Sequence, residues 1–283
     1  MASKNRKLKK ANPVQKSGNC ALLGKEGKYA KSHIIPLALT SPCVKGGRFI
    51  ESGRGERPIR RFTSWFDHQL VITEGEEILS KIDSAGIEEL RKHKLIWSGW
   101  GGGEKLNDSD YAVPPESGSG FGVRLLEGVN VEKLRLFFLS VLWRSLRTGI
   151  KEFSFLPRDG VDLDRLGKMI VDGDSGDCSY HPIVLDQMST LGFSHNKSPS
   201  FHEIEIQFEE GVKKLGYYRL YMQGLVVHIY PENCLDLLET MPAIFIGGYE
   251  KLWVNARKFE ETKQFEEAKQ ELLDTALRWP GAV

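Results

Sequence analysis

Apolar positions follow two periods along this chain, and the places where the period changes outline its elements. In the stretch EGEEILSKIDSAGIEELRKHKLIW, Ile78, Leu79, Ile82, Ile87 and Leu90 fall near helical spacing. NVEKLRLFFLSVLWRSLRTG, residues 130–149, is apolar on nearly every face, with Asn130 at the start and Gly149 just past the end, and predicts the central helix of a core. A third helix is expected around DLDRLGKMIV. A charged one is expected over RKFEETKQFEEAKQELLDTALRW, packing by Phe259, Phe265, Leu272 and Leu273. Between these, FHEIEIQF alternates apolar and polar residues, and LGYYRLYMQGLVVHIYP reads as two strands around Gln223 and Gly224, so an antiparallel sheet is expected.

Nearer the start, NCALLGKEGKYAKSHIIPLALT predicts a short hairpin with a Gly-containing turn. An extended His33-Ile34-Ile35 follows and stops at Pro36. SPCVKGGRFIESGRGERPIRR reads as a Gly- and Arg-rich loop, and FTSWFDHQLVIT as a strand leading into the first long helix. The local order is hairpin, loop, strand, helix. The Gly/Ser/Pro-rich segment 98–122 reads as a boundary or an ordered functional loop; its run of three glycines, Gly101 to Gly103, lacks a following Lys-Ser/Thr, so it is no nucleotide P-loop.

With 283 residues, 40% of them hydrophobic and 27% charged, the chain can bury a substantial core. Its length suits two domains, 18–97 and 123–283, behind a basic arm over 1–17. The expected class is α+β. No apolar run reaches the roughly eighteen residues of a membrane helix, and no secretory signal is evident, so no membrane partner and a cytoplasmic location are expected. Cys20, Cys43, Cys178 and Cys234 form no Cys-x-x-Cys pair and read as free thiols.

The net charge of +1 conceals an asymmetry. Residues 1–61 carry fifteen Lys and Arg against three acids, Glu26, Glu51 and Glu56. Such an excess suits a phosphate backbone, whose counterions Lys and Arg release, and it marks Lys7, Lys9, Lys10, Arg54, Arg57, Arg60 and Arg61 as candidate nucleic-acid contacts. For the arm alone, a solubilising tail explains the same charge.

The order CALLG, SHIIP, WFDHQLVITEGEEIL resembles the HNH, or ββα-metal, endonuclease family, in a variant carrying Ser-His-Ile-Ile-Pro and a long helix ending in Leu-Trp-Arg, here SVLWRS. The resemblance covers residues 18–85, extends weakly to about 150, and implies an N-terminal HNH-like ββα unit followed by a helical and antiparallel-sheet domain. Cys20 matches the first zinc ligand of the family, but Leu23, Ile72 and Gly75 stand at the other three places. One cysteine cannot hold a tetrahedral zinc, so no structural zinc is expected, with apolar packing taking its place. His33 falls on the general base that deprotonates a water attacking the scissile phosphate. Asp67 falls on the family Asn that orients this histidine, and Asp83 on the last metal ligand, implying Mg²⁺ or Mn²⁺ held by Asp83 and Asp67. Ser32 replaces a residue that relatives often use on the metal.

Two functions follow as expectations. The first is an HNH-like nucleic-acid-binding protein that cleaves phosphodiesters with His33, in the setting of phage defence or mobile elements that the resemblance implies. The second is a catalytically inactive HNH-fold interaction module, a phage inhibitor or a subunit of a defence complex with a protein partner. Cys178, His181, His195 and His202 show no metal or triad spacing and read as loop or surface residues.

Overall fold

The computed structural model describes residues 16–40, 49–52, 59–61, 64–112, 121–193, 195–208, 211–231 and 235–278. The chain opens with the antiparallel hairpin β1 (Ser17–Asn19) and β2 (Glu26–Lys28), joined by a turn in which Gly24 N–H bonds back to the Cys20 carbonyl. Next come β3 (Ser32–His33), the single turn α1 (Leu37–Thr40), β4 (Phe49–Ser52), β5 (Ile59–Arg61) and β6 (Phe66–Asp67). β3 and β6 form a two-residue antiparallel ribbon that leads into α2 (Thr73–Lys92). Glu74 and Glu76 in the first turn of α2, and Arg91 and Lys92 in its last, complement the helix dipole.

The remainder runs β7 (Gly122–Leu126), α3 (Val131–Arg147), α4 (Leu163–Asp172), β8 (Ile183–Met188), β9 (His195–Lys197), β10 (Ser200–Phe208), β11 (Gly211–Met222), β12 (Leu225–Ile229), α5 (Leu235–Thr240), β13 (Leu252–Arg257) and α6 (Lys263–Arg278). The class is mixed helix and sheet. Asn130 caps α3 as its position suggested, accepting from the Lys133 N–H. Gln223 and Gly224 both adopt positive φ between β11 and β12, the geometry a two-residue hairpin turn demands.

Six strands form one sheet in the order β10-β11-β12-β8-β13-β7. It is mixed and not purely antiparallel: β8 and β13 run parallel, with β9 to β12 and α5 between them in the chain. A separate three-stranded sheet, β5-β4-β9, corrects the loop expected over 41–61. There β4 and β5 pair as a hairpin, and β9 adds in parallel from far along the chain.

Alternation gives the six-stranded sheet two unlike faces. Leu220, Met222, Leu225, Val227, Ile229, Ile183, Leu185, Leu252 and Val254 point into the main core beside the α3 residues Phe137, Phe138, Leu142 and Trp143. Their neighbours Tyr217, Arg219, His228, Asp186, Asn255 and Arg257 belong to the opposite face. α2 crosses α3 closely because Gly86 has no Cβ; one placed there would lie 2.4 Å from the Phe137 ring. The main core draws on residues from Cys20 to Val254, on both sides of the expected 98–122 boundary. The described part of that segment is itself tied to the sheet, Leu106 N–H bonding to the Ser189 carbonyl.

Candidate functional site

His33 owes its position to two apolar neighbours. Ile34 and Ile35 are fully buried, and Ile34 N–H bonds to the Trp65 carbonyl, which draws β3 onto β6 and leaves His33 paired with Phe66. The two rings meet edge-on at 6.1 Å, and Lys31 Nζ sits 4.0 Å from the centre of the Phe66 ring. His33 Nε2 is buried without a hydrogen-bond partner among the described residues. Burial pushes the imidazole pKa down, as do Lys31 and Arg144, while Asp83 works the other way. The ring is neutral at physiological pH.

Asp67 does not orient this ring. Register pairs it with Ser32, so its side chain leaves the ribbon on the face opposite His33 and Phe66. Its Oδ1 accepts from Gln69 N–H at 2.8 Å. Its Oδ2 accepts from the Thr148 hydroxyl at 2.6 Å and from Gly149 N–H at 3.3 Å. The carboxylate ties the turn after β6 to the end of α3.

Asp83 does lie near His33, but a protein cation holds it. The Arg144 guanidinium donates to both its oxygens, Nη1 to Oδ2 at 2.9 Å and Nη2 to Oδ1 at 2.6 Å. Nη1 also donates to the His33 carbonyl at 3.0 Å, Nη2 to the Ser140 hydroxyl and Nε to the Ser140 carbonyl. Arg144 is 1% exposed. This planar fork is fully used, the arrangement in which a buried arginine is best compensated.

These residues do not fit the divalent cation that the resemblance implies. A metal on Asp83 would have to displace the guanidinium and leave its charge buried and unpaired, and Asp67 is bonded on the other face of the ribbon. Among the described residues, no group of three or more His, Cys, Asp or Glu side chains is arranged to hold a metal. Glu76 is a further carboxylate beside Arg144 and Asp83. Burial raises its pKa against the opposing effects of the Ser32 hydroxyl and Arg144, and its Oε2 has no hydrogen-bond partner among the described residues.

The positions compared with zinc ligands do gather around Cys20. Its Sγ accepts weakly from Ile72 N–H at 3.5 Å and lies 3.1 Å from where a Cβ on Gly75 would stand, while Leu23 packs on the same core. No family model, curated protein or solved structure matches the chain.

Of the candidate nucleic-acid contacts, Lys7, Lys9, Lys10, Arg54 and Arg57 lie outside the described residues. Arg60 and Arg61 fall on β5, whose backbone alone is described. Sequence reasoning missed Arg144 and Glu76. A signal for Arg144 was present: α3 is apolar all round, so an arginine within it requires a buried acceptor.

Proposed function

We propose that residues 17–92 are an HNH-like unit that no longer runs metal-dependent hydrolysis, and that the protein acts as a nucleic-acid-binding module in a phage-defence or mobile-element setting. The observation that carries this reading is the Arg144 fork on Asp83 and on the His33 carbonyl: the positive charge a nuclease of this kind takes from an ion is supplied here by α3. The order of hairpin, His-bearing ribbon and helix supports the likeness. So does the meeting of Cys20, Ile72 and Gly75, where packing stands in for a knuckle. The basic excess of residues 1–61 supports the ligand.

Purified protein should contain no stoichiometric zinc by elemental analysis. With Mg²⁺ or Mn²⁺ it should leave plasmid, single-stranded DNA and RNA uncut, yet bind nucleic acid with steep salt dependence. Changing Arg57, Arg60 and Arg61 together to Ala should flatten the log–log salt slope by about 0.7 to 0.9 for each lost phosphate contact. Metal-dependent cleavage that disappears in His33→Ala would restore the nuclease reading. An unchanged slope would move binding away from the Arg-rich segment.

A further inference from the structure

The polar face of the six-stranded sheet carries a cavity of about 170 Å³, between the strands and the start of α6. Its lining includes Asp186, Tyr217, Arg219, His228, Arg257 and Lys263, with buried Gln264 beneath. Three of these groups are cationic and one is anionic. Arg219 is 7% exposed, a guanidinium held inside the protein where it meets open space. α6 begins at the cavity: Thr262 caps it, accepting from the Phe265 N–H, and the first-turn N–H groups of Lys263 and Gln264 precede the helix's own bonding ladder.

The floor of the cavity is fixed by a buried amide. Gln264 is fully buried, and its amide touches His195 Nε2 at 2.8 Å through one atom only. The other amide atom has no partner among the described residues. His195 Nδ1 donates to the Phe193 carbonyl at 2.9 Å, so its Nε2 accepts from the Gln264 amide N–H, which holds Gln264 at the floor of the cavity.

The remaining groups set which anion suits the space. Asp186 accepts from Asn255 Nδ2 at 2.7 Å and faces His228 Nδ1 at 3.6 Å, which turns the other ring nitrogen away from the carboxylate. Burial pushes His228 down to about 4, so its ring is neutral at physiological pH. A neutral ring offers one donor and one acceptor. Glu267, outside the lining, pairs with both Arg219 and Lys197 and stands 3.9 Å from Lys263, so with Asp186 it makes two carboxylates that temper the cations. Tyr217 stacks against the His202 ring at the edge and provides an aromatic wall.

The geometry points to this cavity as a binding site for a phosphomonoester, either the phosphate of a free mononucleotide or the 5′-phosphate at the end of a nucleic-acid strand. A compact dianion suits Arg219, Arg257, Lys263 and a helix start together, and the volume exceeds several waters at about 30 Å³ each. This site is separate from the Arg-rich segment, and neither depends on the other.

Calorimetry on the full chain with inorganic phosphate, AMP and adenosine tests the site. A paired titration with 5′-phosphorylated and 5′-hydroxyl single strands separates the two sources. Phosphate and AMP should bind saturably and adenosine should not. A preference for the phosphorylated strand over AMP assigns the site to strand ends, and the reverse assigns it to free nucleotides. Arg257→Ala and Lys263→Ala, both exposed positions that leave the core intact, should each weaken AMP binding about tenfold. Binding of 5′-hydroxyl strands through the Arg-rich segment should stay unchanged. No saturable binding of phosphate, AMP or the phosphorylated strand would overturn the proposal. So would AMP binding indifferent to the Arg257→Ala/Lys263→Ala double variant.

Discussion

His33 and His228 occupy chemically similar places with opposite outcomes. Each is a neutral imidazole lowered by burial, each has an aspartate near it, and each has a buried arginine within reach of that cluster. At His33 every donor of the Arg144 fork ends on a protein acceptor, and both oxygens of Asp83 are taken. At His228, Arg219 gives one bond to Glu267 and otherwise borders a cavity that Arg257, Lys263 and the start of α6 also face. The same residue types therefore make a closed tie in one region and an open site in the other. What separates them is whether the protein already supplies all the partners.

The sharpest way to break this contrast is to remove the two arginines in turn. Arg144→Ala leaves Asp83 charged without its cation, and should cost about 3–5 kcal/mol in denaturant unfolding, the range for one partner lost from a buried pair. Replacing both, as Asp83→Leu with Arg144→Met, should recover most of that loss. Arg219→Ala should cost less than half as much, because Glu267 keeps Lys197. Equal losses at the two positions would erase the distinction between tie and site.

Acid titrates the open region next. Burial pushes His195 and His228 to about 4 from an ordinary 6.5. Between those values the unfolded chain binds more protons, so stability rises with pH across this window and falls as pH is lowered through it. From pH 6.5 to 5, each histidine should remove on the order of 1–2 kcal/mol. His195→Gln should flatten that dependence; an identical pH profile in the variant would contradict it.

The smallest expected effect is at His33 itself. His33→Ala should cost about 1–2 kcal/mol, as for one damaged partly buried contact, because Ile34 and Ile35 carry the packing of β3. Affinity for nucleic acid should not change. His228→Ala should instead weaken phosphate binding about tenfold. A loss of nucleic-acid affinity at His33 with none at His228 would reverse the assignment of the two regions.

Much of the fold was legible locally. The Asn130 cap, the apolar α3, the hairpin at Gln223-Gly224 and the alternation of β10 all depend on residues a few positions apart. What escaped were partners separated by long stretches. Asp83 and Arg144 are 61 residues apart, and no spacing rule reaches that far. Asp67 was misplaced because a two-residue ribbon gives a side chain its face through register alone, and a shift of one residue reverses it. His195 and His202 looked like loop or surface residues because their company, Tyr217, His228 and Gln264, arrives from three later elements. β13 was missed because its Leu252, Val254 and Ala256 alternate over only six residues.

The parallel pairing of β4 with β9 has a consequence for how the chain comes to be folded as it is made. Ile50 to Ser52 meet His195 to Lys197, so one edge of the β4-β5 hairpin stays unmatched until those residues have emerged. At ordinary synthesis rates of about 5–20 residues per second, that interval is on the order of ten seconds. During it, the hairpin flanking the Arg-rich segment exposes bare backbone donors and acceptors, the type of edge that recruits foreign strands. The basic sequence around that hairpin is of the kind that counters such pairing, since like charges repel other copies of the same edge.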